Sequence, residues 1–433
     1  MNSDNIKPKK GNKFVDGHYK IKLEIPTKWK YEKLKGKIEI LSGFSFESRF
    51  FDEKKGLPLI RIRDLAKDHT QTYYNGEYLD EFLIQKGDFL IGMDGEFKPY
   101  LWQGTKSLLN QRVCKITTKD PDELDLKFLF YAIRKELNYY ELINIGTTVS
   151  HLSVFDIENI KIPTPSIQEQ RKIGTTLSNI DELIQKQQQV IEQIQKLKKG
   201  QMQKLLTKGI GHTKFNKINF GSQIVESIPS DWNIKTLNEM SLNGTKSGYA
   251  VSTTDYGPGI AIVGMTDLFK NDILESDDLK TISLSRNMVK NFFVSEGDLL
   301  FARRSLTIEG AGKCVLVSKL VSPTIFESSI IQITLDSNKY LPRYVNYFLN
   351  SDLGIRIMTR IKQIVAVSGI KSSDLKIIKI PIPKVPQEQE KIVSILSNLD
   401  SLIQQEKQYK EKLENLKKGL MQQLLTGEKQ IIV

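Results

Sequence analysis

Cysteine and histidine are scarce in this chain of 433 residues: two cysteines, Cys114 and Cys314, and four histidines, His18, His69, His151 and His212. Two thiols cannot form a disulfide framework, and no histidine or cysteine stands at a recognisable ligand spacing from another, so neither oxidative stapling nor a structural zinc is expected. Each cysteine lies in a β-like apolar run (RVCKI, KCVLV), the setting of a buried thiol rather than a nucleophile. Long apolar runs are missing as well. None reaches the ~18 to 20 residues of a transmembrane helix. The opening MNSDNIKPKKGNKFVDGHYK carries positive charge with no apolar stretch behind it, so no secretory signal is expected and the expected compartment is the cytoplasm.

Motifs of catalysis are absent too. Neither GTKSG nor GAGKC has P-loop spacing, and there is no strand-linked G-x-G-x-x-G, no G-x-S-x-G elbow and no H-E-x-x-H pair. The Asn/Asp-Pro-Pro-Tyr loop of adenine methyltransferases does not occur; Asn138-Tyr139-Tyr140 lacks the prolines. No carboxylates cluster with a lysine as a nuclease requires. The sequence therefore reads as that of a binding protein.

What is present is length, a basic balance and a repeat. The length predicts two or three domains. Sixty-three Lys and Arg against 51 Asp and Glu give a formal charge of +12, which favours a polyanionic partner. Residues 168–207 (QEQRKIGTTLSNIDELIQ...LKKGQMQKLLT) align with 387–426 (QEQEKIVSILSNLDSLIQ...LKKGLMQQLLT), identical at about 23 of 40 positions. Upstream, Ile162, Pro163 and Pro165 match Ile380, Pro381 and Pro383. Fainter anchors recur at the start of each half: Ile25, Pro26 and Trp29 with Ile228, Pro229 and Trp232; Asp64-Leu65 with Asp267-Leu268; and Gly87-Asp88 with Gly297-Asp298.

The repeated segments read as helices of about 40 residues, roughly 60 Å long. Ser166 followed by Glu169 fits a capping box in the first copy; Lys384 stands there in the second. Ile173, Leu177, Ile180, Ile184, Ile191 and Ile194 make an apolar stripe, with Gln187 in the seam and Leu183, Val190 and Leu197 widening it. Ile392, Leu396, Leu399, Ile403, Leu413 and Leu416 do the same in the second copy. Such stripes suit pairing of the two helices; the alternative is that each packs only on its own domain. Gly200 and Gly419, at equivalent positions, suggest a bend or a close backbone contact. The diverged parts, residues 20–160 and 222–375, alternate β-branched runs with Gly, Asn and Asp turns, and each ends in an amphipathic helix (DLKFLFYAIRKEL; PRYVNYFLNSDLGIRIMTRI). They read as α+β domains with mainly antiparallel strands.

P-x-P...Q-E-Q-x-K-I...L-S-N-x-D-x-L-I-Q...L-K-K-G-x-M-Q-x-L-L-T, present twice and preceded by I-P-x-x-W and G-D segments, resembles the specificity subunits of type I restriction-modification systems over nearly the whole chain. The resemblance implies two target recognition domains, residues 20–165 and 209–383, related by a pseudo-two-fold axis, and two spacer helices, 166–208 and 384–427, forming an antiparallel coiled coil. It implies a non-catalytic chain that reads a bipartite site on double-stranded DNA and docks two methyltransferase subunits, which a restriction and translocase subunit joins. It places no cofactor on this chain: S-adenosylmethionine belongs to the methyltransferases, ATP and magnesium to the restriction subunit. The alternative is an orphan scaffold that binds methyltransferase without directing modification.

Candidate DNA contacts combine a donor side chain with a loop or strand-end position. In the first domain these are Arg61 and Arg63, and Lys98, Tyr100, Trp102, Gln103 and Lys106 after GDFLIGM. In the second they are Lys246, Tyr249 and Thr266, with Arg303 and Arg304 in the loop after GDLLFA. For each the structural alternative is a surface ion pair or, for Trp102, a core ring. The recurring Asp64, Asp267, Asp88 and Asp298 sit in the shared frame, where hydrogen bonding at turns or strand ends accounts for them.

Overall fold

The computed structural model describes residues 8–16, 22–95, 97–143, 151–221, 224–275, 278–305, 310–361 and 368–431. His18 and the expected domain start at residue 20 lie outside them. The fold is α+β. Five helices of eight or more residues are described: α1 (Leu126–Ile143), α2 (Ile167–Lys208), α3 (Pro342–Leu349), α4 (Asp352–Ile361) and α5 (Pro386–Leu425). The chain forms two compact units, residues 1–188 with 408–433, and residues 189–407. Both boundaries fall inside α2 and α5 rather than at their ends.

The cores explain this division. In the first unit Ile173 and Leu177, from the start of α2, are buried with Trp29, Phe128 and Tyr131, and the end of α5 closes the same core with Leu424, flanked by Leu420, Met421 and Leu425. In the second unit the roles of the helices exchange. Ile392 and Leu396 from the start of α5 join Met202, Leu205 and Leu206 from the end of α2, together with Trp232 and Tyr344. The Met-Gln-x-Leu-Leu of each repeat is thus the lid of the other domain's core, and each fully buried leucine contributes about 1.5–3 kcal/mol.

Within each unit the two helical segments run antiparallel. In the first, Lys417 meets Asp181 at 2.5 Å and Lys410 donates to Gln188 at 3.0 Å, so a seven-residue step along one segment matches a seven-residue step back along the other. In the second, Lys198 meets Asp400 at 2.5 Å and Glu388 accepts from the Ile210 N–H at 2.9 Å. A tyrosine completes each ion pair. Tyr131 donates to Asp181 and Tyr347 to Asp400, both at 2.6 Å, and Lys417 and Lys198 each lie 5.6 Å from the matching ring centre. Burial and then the neighbouring carboxylate raise both phenol pKa values, that of Tyr347 to about 12.

Helix ends follow local chemistry. Ser166 and Glu169 form the expected capping box, the hydroxyl donating to the carboxylate at 2.9 Å. Pro386 opens α5, where a missing N–H costs nothing. Gly209 and Gly427 follow the ends of α2 and α5 in the left-handed region, φ 65° and 73°. Three expectations need correction. Of the bend or close backbone contact expected at Gly200 and Gly419, the close contact is absent: a Cβ at either would meet nothing within 4 Å outside its own helix. Leu183, Val190 and Leu197, expected to widen the buried stripe, are 47%, 39% and 51% exposed, and Leu416 is 52% exposed. Of the stripe itself, Ile173, Leu177, Ile180, Gln187, Ile191, Ile392, Leu396, Ile403 and Leu413 are buried and Ile184, Ile194 and Leu399 half-buried, so burial follows the stripe and leaves the flanking row in solvent. Finally, the single helix expected over 342–361 is two, α3 and α4. The Ser351 hydroxyl donates to the Phe348 carbonyl and accepts from the Gly354 N–H, and Gly354 lies where a Cβ would come within 2.1 Å of that carbonyl.

Each unit repeats one β scaffold. A hairpin (Asn12–Asp16 with Lys22–Pro26; Phe215–Asn219 with Val225–Pro229) leads to a ladder in which the Ile-Pro strand lies antiparallel to the strand after the tryptophan, Pro163 opposite Tyr31 and Pro381 opposite Ile234. The main sheet of the first unit has the order Ile38–Ser42, Val113–Thr118, Phe89–Gly92, Pro99–Leu101, all antiparallel. In the second unit Ser241–Ser247, Ile330–Leu335, Leu299–Ala302 and Cys314–Lys319 follow the same order, with Ile273–Glu275 added in parallel. Both cysteines are buried in these sheets, which pushes their thiols up to about 12.

Candidate nucleic-acid interface

The recurring carboxylates build turns. Asp88 accepts from the Gln85 N–H at 2.8 Å and Asp298 from the Ser295 N–H at 2.7 Å, each at the tight turn that launches a central strand, with Gly87 and Gly297 at φ 96° and 91°. Asp64 and Asp267 likewise cap short helical turns, accepting from the Arg61 and Gly264 N–H groups at 3.0 Å. All four are occupied as hydrogen-bond acceptors, the structural use expected of them.

On this frame the same rim is built twice. In the second unit the Arg303 N–H donates to the Ser329 carbonyl at 2.9 Å, and the Arg303 carbonyl accepts from the Ile370 N–H at 3.0 Å. In the first, Met93 makes the same pair of bonds, to the Arg112 carbonyl at 2.9 Å and from the Leu152 N–H at 2.8 Å. Met93-Asp94 therefore occupies the place of Arg303-Arg304. A second matched pair lies alongside. Gly43 and Gly248 sit where a Cβ would lie 2.1 and 2.2 Å from the Asn110 and Phe326 carbonyl oxygens, and the following Phe44 and Tyr249 bridge to Asn110 and Glu327. The repeated Ser-Gly-aromatic, residues 42–44 and 247–249, was the available sequence signal, overlooked because only two of three residues match.

The second unit's candidates converge. The Arg303 guanidinium donates to the Ser247 hydroxyl at 3.3 Å, beside exposed Lys246. Tyr249 stacks edge-on to Phe292 and its carbonyl accepts from the Ser328 N–H. Glu327 accepts from the Met265 N–H at 2.7 Å, which fixes the turn presenting exposed Thr266. Arg304 is exposed. The loop expected at Arg303-Arg304 is instead a strand end, since Arg304–Ser305 pairs antiparallel with Ser368–Gly369, so the two side chains leave on opposite faces.

The first unit's candidates divide. Arg61 and Arg63 line a cleft of about 540 Å³ with Phe51, Asp52, Lys54 and Gln71. Arg61 is half-buried and donates to the Thr72 hydroxyl; burial, then the charge of Arg63, lowers its pKa. Its Nε is buried with no partner among the described residues. The turn carrying both arginines packs on the central strand, where a Cβ at Gly92 would lie 3.3 Å from Ile62. Lys98 and Lys106 are exposed and Tyr100 is half-buried. Gln103 is tied down, its N–H to Asp68 at 3.0 Å and its side-chain amide to the Leu101 carbonyl at 3.3 Å. Trp102 is corrected outright: it is 1% exposed, its indole N–H donates to the Thr105 carbonyl at 2.9 Å, and the second unit has buried Val317 at the same hydrogen-bonding position. It is a core ring.

Sequence reasoning missed three residues at the first rim. Asp94 accepts from Arg112 at 2.7 Å and pairs with His151 at 2.6 Å. Among the described residues no group of three His, Cys, Asp or Glu could hold a metal, and no helix is long and apolar enough to cross a membrane.

Comparison with known proteins decides what this frame is. Residues 26–196 and 229–415 match the family model of the type I restriction modification DNA specificity domain, one copy in each half. The chain belongs to this family. It is the specificity component of a type I restriction-modification system, with two recognition domains, and not a catalytic one. The specificity subunit of the type I enzyme EcoBI from Escherichia coli is 26% identical over 421 residues, covering 94% of this chain and 87% of that one. That of MjaVIII from Methanocaldococcus jannaschii is 26% identical over 415 residues and covers 94% of each. In fold, the S subunit of a type I system from M. genitalium superposes with a TM-score of 0.57 at 18% identity, covering 92% of this chain and 96% of its own.

Proposed function

We propose that each unit of this specificity subunit reads one half of a bipartite site on double-stranded DNA, and that the helices dock two methyltransferase subunits, one per unit. A single observation carries the reading. The frame is the same in both units to the level of individual backbone hydrogen bonds, while the residues it displays at the rim differ: Met93-Asp94 against Arg303-Arg304, Phe44 against Tyr249, Asn110 against Glu327. Base edges differ in donor and acceptor pattern, so one scaffold with exchanged side chains is what reading two sequences requires. Lys246, Thr266, Arg303 and Arg304 are the contacts of the second unit, with Tyr249 supporting them. Arg61, Arg63, Lys98 and Lys106 are those of the first, with Tyr100 and Gln103 shaping the rim.

For docking, the exposed apolar row supports the helices. Val190 and Leu197 in the second unit, and Tyr409 and Leu416 in the first, fall at equivalent positions of the repeat and are 39–52% exposed. The S-adenosylmethionine site belongs to those partners, and ATP and magnesium to the restriction subunit that joins them; compartment follows from the genome the complex acts on. The test is to purify the chain with its methyltransferase and select bound duplexes from a randomised pool. Two short fixed sequences separated by a constant unread gap are expected. A complex that forms but selects no sequence is the orphan scaffold.

A further inference from the structure

The side chains at the first unit's rim are arranged in a way the second unit's are not. Asp94 stands where Arg304 stands, and its two carboxylate oxygens are each engaged, Oδ2 by Arg112 Nη1 at 2.7 Å and Oδ1 by His151 Nδ1 at 2.6 Å. The three come from separate segments: Asp94 just beyond the central strand, Arg112 from the turn before the strand Val113–Thr118, and His151 from the segment that bridges to Asp94. The carboxylate is largely covered, its side chain 21% exposed, while Arg112 and His151 remain 54% and 52% exposed. One guanidinium nitrogen holds Asp94. The other donors of Arg112 have no protein acceptor among the described residues.

We propose that this cluster reads a base in the first half-site: Arg112 contacts the O6/N7 edge of a guanine, Asp94 is the residue that positions its guanidinium, and His151 holds Asp94. The inference rests on the proposal that each unit reads a half-site. Two features favour a base over a phosphate, and a third places guanidinium donors at the same edge of both units. A carboxylate in contact with Arg112 repels a phosphate, whereas a guanine edge is neutral and demands orientation. Clamping one nitrogen fixes the plane of a group whose value to a guanine lies in its planar pair of donors. The matching rim position in the other unit carries adjacent arginines, so both units place guanidinium donors at this edge.

The experiment uses the full chain with its methyltransferase and measures binding to duplexes substituted one base pair at a time, for wild type and the variants R112K, R112A, D94A and D94E. Arg112→Lys keeps the charge and removes the paired donors. It is expected to cut discrimination at one base pair of the first half-site by roughly ten- to hundred-fold while leaving the second half-site and binding to unrelated duplex unchanged. Asp94→Ala is expected to do the same in part, and Asp94→Glu to restore some discrimination; a merely structural Asp94 would instead change thermal stability and both half-sites together. If R112K and R112A discriminate as wild type does, or weaken every duplex equally, the cluster does not read a base and the inference fails alone. If wild type itself prefers no sequence, the inference fails together with the proposed function.

Discussion

Glycine at positions 200 and 419 gives the account a quantitative test. Both sit inside helices, both are solvent-facing, and neither has any atom within 4 Å of where a Cβ would be. No contact beyond their own helices accounts for them, so replacing either by alanine should remove only the backbone-entropy cost of a helical glycine. That cost is about 0.5–1 kcal/mol, a roughly two- to five-fold change in the local opening equilibrium. Hydrogen exchange of the amides flanking each position reads it directly: protection around Gly200 should rise by that factor in G200A and stay as in wild type in G419A, since the two lie in different units. Gly200 follows exposed Leu197 by three residues, and Gly419 follows Leu416 by three, so each glycine borders the row assigned to docking. The same substitutions should therefore weaken binding of methyltransferase. A fall in protection would refute the reasoning, because it would mean that the glycine accommodates something within the chain.

Other consequences follow from the geometry. Replacing Arg303 and Arg304 with alanine should relax one half-site, at about 1–3 kcal/mol for a lost paired contact, and leave the other intact; equal loss at both in a duplex-substitution series would mean general phosphate contacts. Cys114 and Cys314, with thiols pushed up to about 12 by burial, should resist alkylation at pH 8 and react at once in denaturant. Labelling of the native protein would overturn their placement. Glu239, held at about 2 by the N–H and hydroxyl of Thr236 and then by Lys235, caps the turn Leu237–Met240. Its folded value lies below the ordinary 4.5, so its contribution is present above that pH and lost as pH falls towards 2. Protection at this turn, measured relative to the intrinsic exchange rate at each pH, should fall over that window in wild type, and Glu239→Gln should abolish that pH dependence.

How much of this was legible beforehand depended on the range of the interaction. The helices were readable because a capping box, a periodic stripe and a Met-Gln-x-Leu-Leu end are local patterns, and the turns at Asp88 and Asp298 were readable for the same reason. Which apolar residues would be buried was not. Leu183 and Leu197 are as hydrophobic as Leu177, and only tertiary packing, on the domain core for Leu177, decides which row is covered. Trp102 was ambiguous for a similar cause: an indole after a strand packs inward or outward according to the layer beneath it. Arg303 and Arg304 looked like loop residues because their strand pairs with residues 368–369, far along the chain. The equivalence of Met93-Asp94 with Arg303-Arg304 shares no residue, but the Gly87-Asp88 and Gly297-Asp298 anchors six residues upstream set the two strands in register without a gap, and the matched backbone hydrogen bonds agree with it. The parts of the site proposed to set specificity are those that the repeat does not preserve.

The central claim is that two units on one frame read two different sequences. Mapping methylated adenines across the host genome, with the gene intact and with R303A/R304A in its place, tests it most directly. The account predicts one bipartite motif in the wild type, two fixed half-sites around a constant unread gap, and in the variant a motif degenerate in one half only. A single uninterrupted motif, or degeneracy spread over both halves, would contradict it.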